Sequence, residues 1–295
     1  MLQKLPCVFV LSGGLGNQLF TYAAGVYYSQ LNNRKVVFEL SDIDVWKEHH
    51  TSSILKFSPN WPVFRMRFRK LIFQAIALTQ RLFSFSHTRI IYGSPALGHD
   101  IQMEKHKQAL LIRGHYQTYK YLLDQEVASE MRNLSIKKET DRFSLENAVI
   151  AGRKVLGVHV RLGNYSGLEE SFGALSADYF RTAIGEALTE EHSKIDHIYL
   201  YSDDVEKAYE YLTLMEWGVP VTLIGKNSGM TDEEILVLMS NSDSLVISNS
   251  TFSWWAAALG NQEKTVYAPA TWFKAMEDPE DLYPAHWNLI QSSWK

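Results

Sequence analysis

The sequence predicts an α/β protein built from two Rossmann-like units, and three observations carry that prediction. A short apolar run, Val8 to Leu11, leads directly into a glycine turn and then into apolar residues at helical spacing. In the second half, strand-like runs alternate with helical patterns, for which a parallel, doubly wound sheet is the economical arrangement. The chain has 295 residues, long for one such unit and comfortable for two of about 150. The expected division is therefore residues 1–150 and 151–295.

Taken in order, the first strand is followed by LSGGLGNQLFTYAAG (Leu11 to Gly25), in which Phe20, Ala23, Tyr27 and Leu31 recur at helical spacing. Asn32-Asn33 stops this helix, and VVFEL (Val36 to Leu40) reads as the second strand. Residues 61–99 differ in character. They carry Arg65, Arg67, Arg69, Lys70, Arg81 and Arg89, with no carboxylate before Asp100. Two readings stand for this segment: a helical insertion with solvated arginines, or a basic amphipathic surface over 61–89 that rests on anionic lipid or meets a lipid-linked substrate.

The second-half strands are expected at 154–162, 197–202, 219–224, 244–248 and 264–268. Asp203 with Glu206, and Thr231 with Glu234, have the spacing of capping boxes at the starts of intervening helices. Ligands of doubly wound sheets bind at the carboxyl ends of the strands, so the residues just after each strand are the candidates. His159 and Arg161 leave the first of them on one face, and the guanidinium is a planar, permanently charged fork suited to a diphosphate. Ser250, Thr251 and Ser253 lead from the fourth strand into a helix carrying Trp254 and Trp255. A helix start with added hydroxyls is an anion site, although ordinary capping by Ser250 or Thr251 explains the same residues. Asp203 and Asp204 follow the second strand; Asp203 is placed to cap, and either carboxylate could accept from a base or ribose. The two tryptophans read as core.

Composition narrows the function classes. With 46% hydrophobic residues and a net charge of −4, the chain can build real cores and lacks a nucleic-acid footprint. Cys7 is the lone cysteine, which precludes an internal disulfide and a thiolate metal cluster and suits a reducing compartment. The opening MLQKLPCVFVLSGG has too short an apolar run for a secretory signal and reads as a buried strand. A soluble, cytoplasmic protein is the expectation, peripheral to the inner face of a membrane only on the second reading of the basic segment. The P-loop pattern is absent, and Asp42-Ile43-Asp44 is formally a metal-holding D-x-D. Gly14-Leu15-Gly16 begins a dinucleotide fingerprint but meets Leu19 where the third glycine belongs, while Glu39 stands at a distance suited to a ribose hydroxyl. A nucleotide-dependent oxidoreductase is thus a second reading.

GGLGNQLFTYAAG, HVRLGNY (159–165), YLYSDD (199–204) and SNSTFSWWAAALG (248–260), in this order, resemble glycosyltransferase family 11, the α1,2-fucosyltransferases. GHYQTYKYL (114–122), LSADYFRTAI (175–184) and YAPATWF (267–273) fit as well. The resemblance implies a GT-B-like fold, two Rossmann-like domains with the active site in the cleft between them, the first on the acceptor side and the second binding GDP-fucose. It implies inverting transfer of fucose to the 2-OH of a terminal β-galactoside, a lipid-linked glycan repeat included, without metal or other cofactor. By the family pattern His159 contacts the guanine end, Arg161 the diphosphate, Ser250 and Thr251 a phosphate, and Asp203 or Asp204 the nucleoside. Gly14, Gly16 and Phe252 join the donor-binding set, and Asn17 lies near the reacting sugar. Many relatives read HxRRGD, where this chain has Leu162 and Asn164. An amide is no base at pH 7, so Glu39 is the carboxylate named for that role, or the leaving group drives the reaction without a strong base. A sugar-binding relative without catalysis is the third reading.

Overall fold

The computed structural model describes residues 5–40, 53–65, 78, 91–162, 169–190, 194–212 and 218–295. Two units emerge: residues 1–137 with Pro279–Tyr283, and residues 138–278 with Pro284–Lys295. Each is built on a parallel sheet, so the prediction of two parallel-sheet α/β units holds.

The first unit contains strands β1 (Cys7–Val10), β2 (Val36–Glu39), β3 (Val63–Phe64), β4 (Ile91–Gly93) and β5 (Leu111–Arg113), in the spatial order β3-β2-β1-β5-β4. Helix α1 (Leu15–Asn32) packs on it and α2 (Gln125–Arg132) follows later. Asn33 ends α1 in the left-handed region at φ 45°, with its N–H returned to Gln30 and Ser29. This is the stop that Asn32-Asn33 signals in the sequence, since asparagine tolerates that conformation best after glycine. Gly25 answers the question of the missing third glycine. A Cβ there would lie 2.5 Å from the Phe38 ring and 3.2 Å from Phe9, so close helix–strand packing is supplied two turns later than a dinucleotide fold supplies it. Residues 279–283 join this unit through the Lys120–Asp281 ion pair at 2.8 Å and the Tyr119 N–H to Asp281 O bond at 3.0 Å.

The second unit has strands β6 (Val155–Val160), β7 (His197–Ser202), β8 (Val221–Ile224), β9 (Ser244–Val246), β10 (Thr265–Pro269) and β11 (Asn288–Ile290), ordered β11-β10-β9-β6-β7-β8. Its helices are α3 (Asp141–Ala151), α4 (Glu169–Phe172), α5 (Ala177–Thr189), α6 (Val205–Leu212), α7 (Asp232–Ser240) and α8 (Thr251–Ala258). Both central strands β6 and β7 are buried at all six positions, as covered parallel strands are. Leu156, Val158 and Val160 pack with Phe180, Ala183, Ile184 and Ala187 of α5. The period of two then turns His159 to the opposite face. Trp254 and Trp255 are fully buried, as their reading as core requires. Thr231 and Glu234 form the expected capping box, with the Thr231 N–H donating to the Glu234 carboxylate at 2.7 Å.

The other expected box is a correction. Helix α6 begins at Val205, and its capping carboxylate is Asp204, which accepts the Lys207 N–H at 3.2 Å. Asp203 is withdrawn from capping because it accepts the Leu162 N–H at 3.0 Å. The five expected strands are all present, β7 with the expected bounds and the others with ends shifted by one or two residues, and β11 is a sixth that pattern reading missed.

Candidate functional site

The strand order of the second sheet reverses between β6 and β9, from which neighbours were added to either side. Ligands of doubly wound sheets bind at the carboxyl ends of the strands beside such a reversal. The residues at this point are His159, Arg161 and Leu162 after β6, and Ser248 to Thr251 after β9. Asp203 follows β7, the other neighbour of β6.

His159 is buried and bridges the two strand ends, its Nδ1 lying 2.7 Å from Ser248 Oγ. Its ring meets Phe252 at 5.9 Å between centroids. Burial, assisted by the Arg161 charge and opposed by Asp203, pushes the imidazole down to about 3, so it is neutral at physiological pH. Arg161 is partly exposed, and its Nε stands 3.7 Å from Asp203 Oδ2. Burial works to raise the Asp203 carboxyl, but the Leu162 N–H, Arg161 and His159 outweigh it and hold it below the ordinary carboxylate range. Asp203 thereby pairs with the guanidinium and holds the Leu162 N–H just after β6.

The start of α8 carries no side-chain cap. Ser250 occupies the N-cap position in extended conformation, yet its side chain makes no capping bond, and the first turn holds no acidic residue. Ser253 Oγ instead donates to the Ser248 and Ser250 carbonyls at 3.3 and 3.1 Å. Asn249 Nδ2 donates to the carbonyls of Phe172, Gly173 and Trp272 at 3.1–3.2 Å. That lock fixes the β9–α8 loop, and with it the positive end of the helix dipole.

A cavity of about 400 Å³ opens beside Asp203, lined by Asp203 to Glu206 after β7, and by Leu223 and Gly225 to Ser228 around the end of β8. Sequence reasoning singled out the two aspartates and missed Lys226, Asn227 and Ser228. The rule of strand carboxyl ends, applied to β8 as well, would have found them.

The first sheet reverses between β1 and β5. Gly13 (φ +69°) makes the turn after β1, and Gly14 is the N-cap of α1 in extended conformation, with no side-chain cap. Gly16 is buried in the first turn. Asn17 is half-buried, and its Oδ1 accepts from Gln117 Nε2 at 3.3 Å. Glu39 is fully buried at the carboxyl end of β2. His115 and Gln117, after β5, lie in GHYQTYKYL (114–122), where the sequence pattern by itself marks neither for a role.

Among the described residues, no group of three or more His, Cys, Asp or Glu is placed to hold a metal ion, and no helix is long and apolar enough to cross a membrane. Asp42, Asp44, Asn164 and nearly all of the basic stretch 66–90 lie outside the described residues.

Comparison with known proteins adds two kinds of finding. The family model described as glycosyl transferase family 11 matches residues 106–291. The chain is 26% identical to an Escherichia coli protein named alpha-1,2-colitosyltransferase, over 95% of this chain and 97% of that one. It is 25% identical to the E. coli O-antigen biosynthesis glycosyltransferase WbnK, over 89% and 93% respectively. In structure it resembles a mutant of Arabidopsis thaliana FUT1 solved with GDP, at a TM-score of 0.51 and 13% identity, over 95% of this chain and 74% of that one. That last likeness concerns the fold.

Proposed function

Because this chain belongs to glycosyl transferase family 11, and is a glycosyltransferase, we propose that it transfers L-fucose from GDP-β-L-fucose to the 2-OH of a terminal β-galactoside, with inversion. The observation that carries the reading is the cluster at the β6/β9 reversal: a neutral buried His159, Arg161 paired with Asp203, and the uncapped start of α8. In the proposed reaction the acceptor oxygen attacks the anomeric carbon, the bond from that carbon to the β-phosphate oxygen breaks, and GDP leaves carrying the electron pair.

Charge on the departing diphosphate is the main cost. Arg161, with Ser250, Thr251 and the N–H groups opening α8, is proposed to stabilise it, an electrostatic contribution of the largest kind available to enzymes. These groups supply the positive charge, so we propose that the reaction needs no metal or other cofactor. His159 and Phe252 are assigned to the guanine end, and the cavity beside Asp203 and Asp204 to the nucleoside. Gly14, Gly16 and Asn17 are assigned to the sugar side. The acceptor hydroxyl must lose its proton, and Glu39 is the carboxylate proposed to take it, a term worth about 10²–10⁴-fold. The partner is a β-galactoside glycan, lipid-linked where the basic segment meets a membrane. The colitosyltransferase relative favours colitose as a second donor sugar.

The test is the product. Incubation with GDP-fucose or GDP-colitose and lactose, followed by NMR of the purified trisaccharide, is expected to show one new α-linked residue on O2 of galactose. A β-linkage, or attachment at another hydroxyl, would refute the reading.

A further inference from the structure

In the first unit the glycine turn, the first turn of α1 and the loop after β5 meet, and one of the contacts joins two side-chain amides. Gly13 lies against Asn17: a Cβ on Gly13 would come within 2.8 Å of Asn17 Nδ2. The opposite end of the same amide, Oδ1, accepts from Gln117 Nε2 at 3.3 Å across a sequence separation of 100 residues. Thr21 Oγ1 fastens the same two segments, lying 3.1 Å from Asn17 O and 3.4 Å from Gly114 O.

Gln117 is held for this contact from behind. The residue is only 7% exposed, and its backbone N–H donates to Leu97 O at 2.6 Å. The chain reaches it through Tyr116, a fully buried aromatic in the left-handed region at φ +57°. A bulky residue is rarely found there and persists only where its surroundings impose it. Tyr116 Oη donates to Arg113 O at 3.1 Å, and its ring fills the space a Cβ on Gly114 would need. The backbone conformation thus turns Gln117 back over the start of α1. Among the described residues its Oε1 is buried without a hydrogen-bond partner, and the side-chain amide makes its one hydrogen bond to Asn17.

We propose that Gln117 and Gly13 are positioning residues for Asn17: Gln117 occupies the Asn17 carbonyl and Gly13 makes room for its nitrogen, so that Nδ2 presents N–H donors to an oxygen of the sugar substrate. This rests on the reading of Asn17 as sugar-facing. The glycine turn then serves a side chain rather than a pyrophosphate.

The test is a double-mutant cycle on GDP release with Asn17→Ala, Gln117→Leu and the pair, with melting temperature measured on all four proteins. Gln117→Leu is expected to lower kcat at least 10-fold in the native background and less than 2-fold in the Asn17→Ala background. Gln117→Glu, which offers Asn17 only acceptors, turns the asparagine amide over and is expected to lower kcat more than Gln117→Leu at an equal melting temperature. Equal losses in both backgrounds, or losses that follow melting temperature alone, would overturn the proposal. If Gln117→Leu does not fold, Gln117→Glu takes its place in the cycle. If the native enzyme releases no GDP from either sugar nucleotide, the functional reading fails while this one is still decided. The Asn17 side-chain amide resonances must then shift in the Gln117 variant, and unchanged resonances overturn the pairing.

Discussion

Lowering the pH from 7 to 5 leaves His159 unprotonated, and this tests the architecture of the proposed donor site at its buried histidine. An ordinary imidazole at 6.5 would be about 97% charged at pH 5, whereas one at about 3 is about 1% charged. Burial is the main cause and the Arg161 charge the second, with Asp203 pulling the other way. The gap between 6.5 and about 3 corresponds to about 5 kcal/mol of preference for the neutral ring. Because the native value is depressed, the unfolded chain takes up a proton that the folded one refuses. The contribution to stability is therefore intact above pH 6.5 and lost progressively as the pH falls toward 3. Between pH 7 and pH 5 the loss is about 2 kcal/mol. Two measurements read it. The His159 Cε1–H resonance is expected to stay constant over this range while exposed histidines titrate, and denaturant unfolding of the native protein is expected to lose about 2 kcal/mol more than that of His159→Gln. A His159 resonance that titrates near 6.5, or equal losses in the two proteins, would refute the reasoning.

Further outcomes are expected elsewhere. Arg161→Ala removes the charge proposed to stabilise the leaving diphosphate and is expected to lower kcat by about 10²–10³-fold in a GDP-release assay; a change under 3-fold would remove Arg161 from that role. Lys264 is buried, with its Nζ donating to the carbonyls of Ser240, Ala256 and Leu259 at 2.5–2.9 Å, which closes the ends of α7 and α8. Lys264→Met leaves these oxygens unpaired and is expected to cost about 3 kcal/mol or more in denaturant unfolding, where a cost below about 1 kcal/mol would contradict the closure. Reversing charge at Arg65, Arg67 and Arg69 is expected to weaken binding to anionic liposomes while leaving transfer to lactose unchanged; unchanged liposome binding would end the membrane proposal.

What the sequence made legible follows the strength of the local signal. The six-residue strands β6 and β7 are buried throughout, and their apolar runs stand out; Asn33 and the Thr231–Glu234 box mark helix ends by their own chemistry. Strands β4, β5 and β11 have three residues each, too few to show a period. The candidate residues of the second unit could be read because the strand-end rule needs only local pattern. Whether Asp203 or Asp204 caps α6 could not be, since both have suitable spacing and the choice is made by the Leu162 N–H, 41 residues away in sequence. The pairing of Asn17 with Gln117 is hidden for the same reason: it joins the first turn of α1 to the loop after β5, which only the sheet order β1-β5 brings together.

Metal-free transfer from GDP-fucose is decided by GDP release measured with and without lactose, each repeated in EDTA. Release that lactose stimulates and EDTA leaves unchanged is expected. Release that EDTA abolishes, or that lactose does not affect while GDP-fucose still binds, would contradict it.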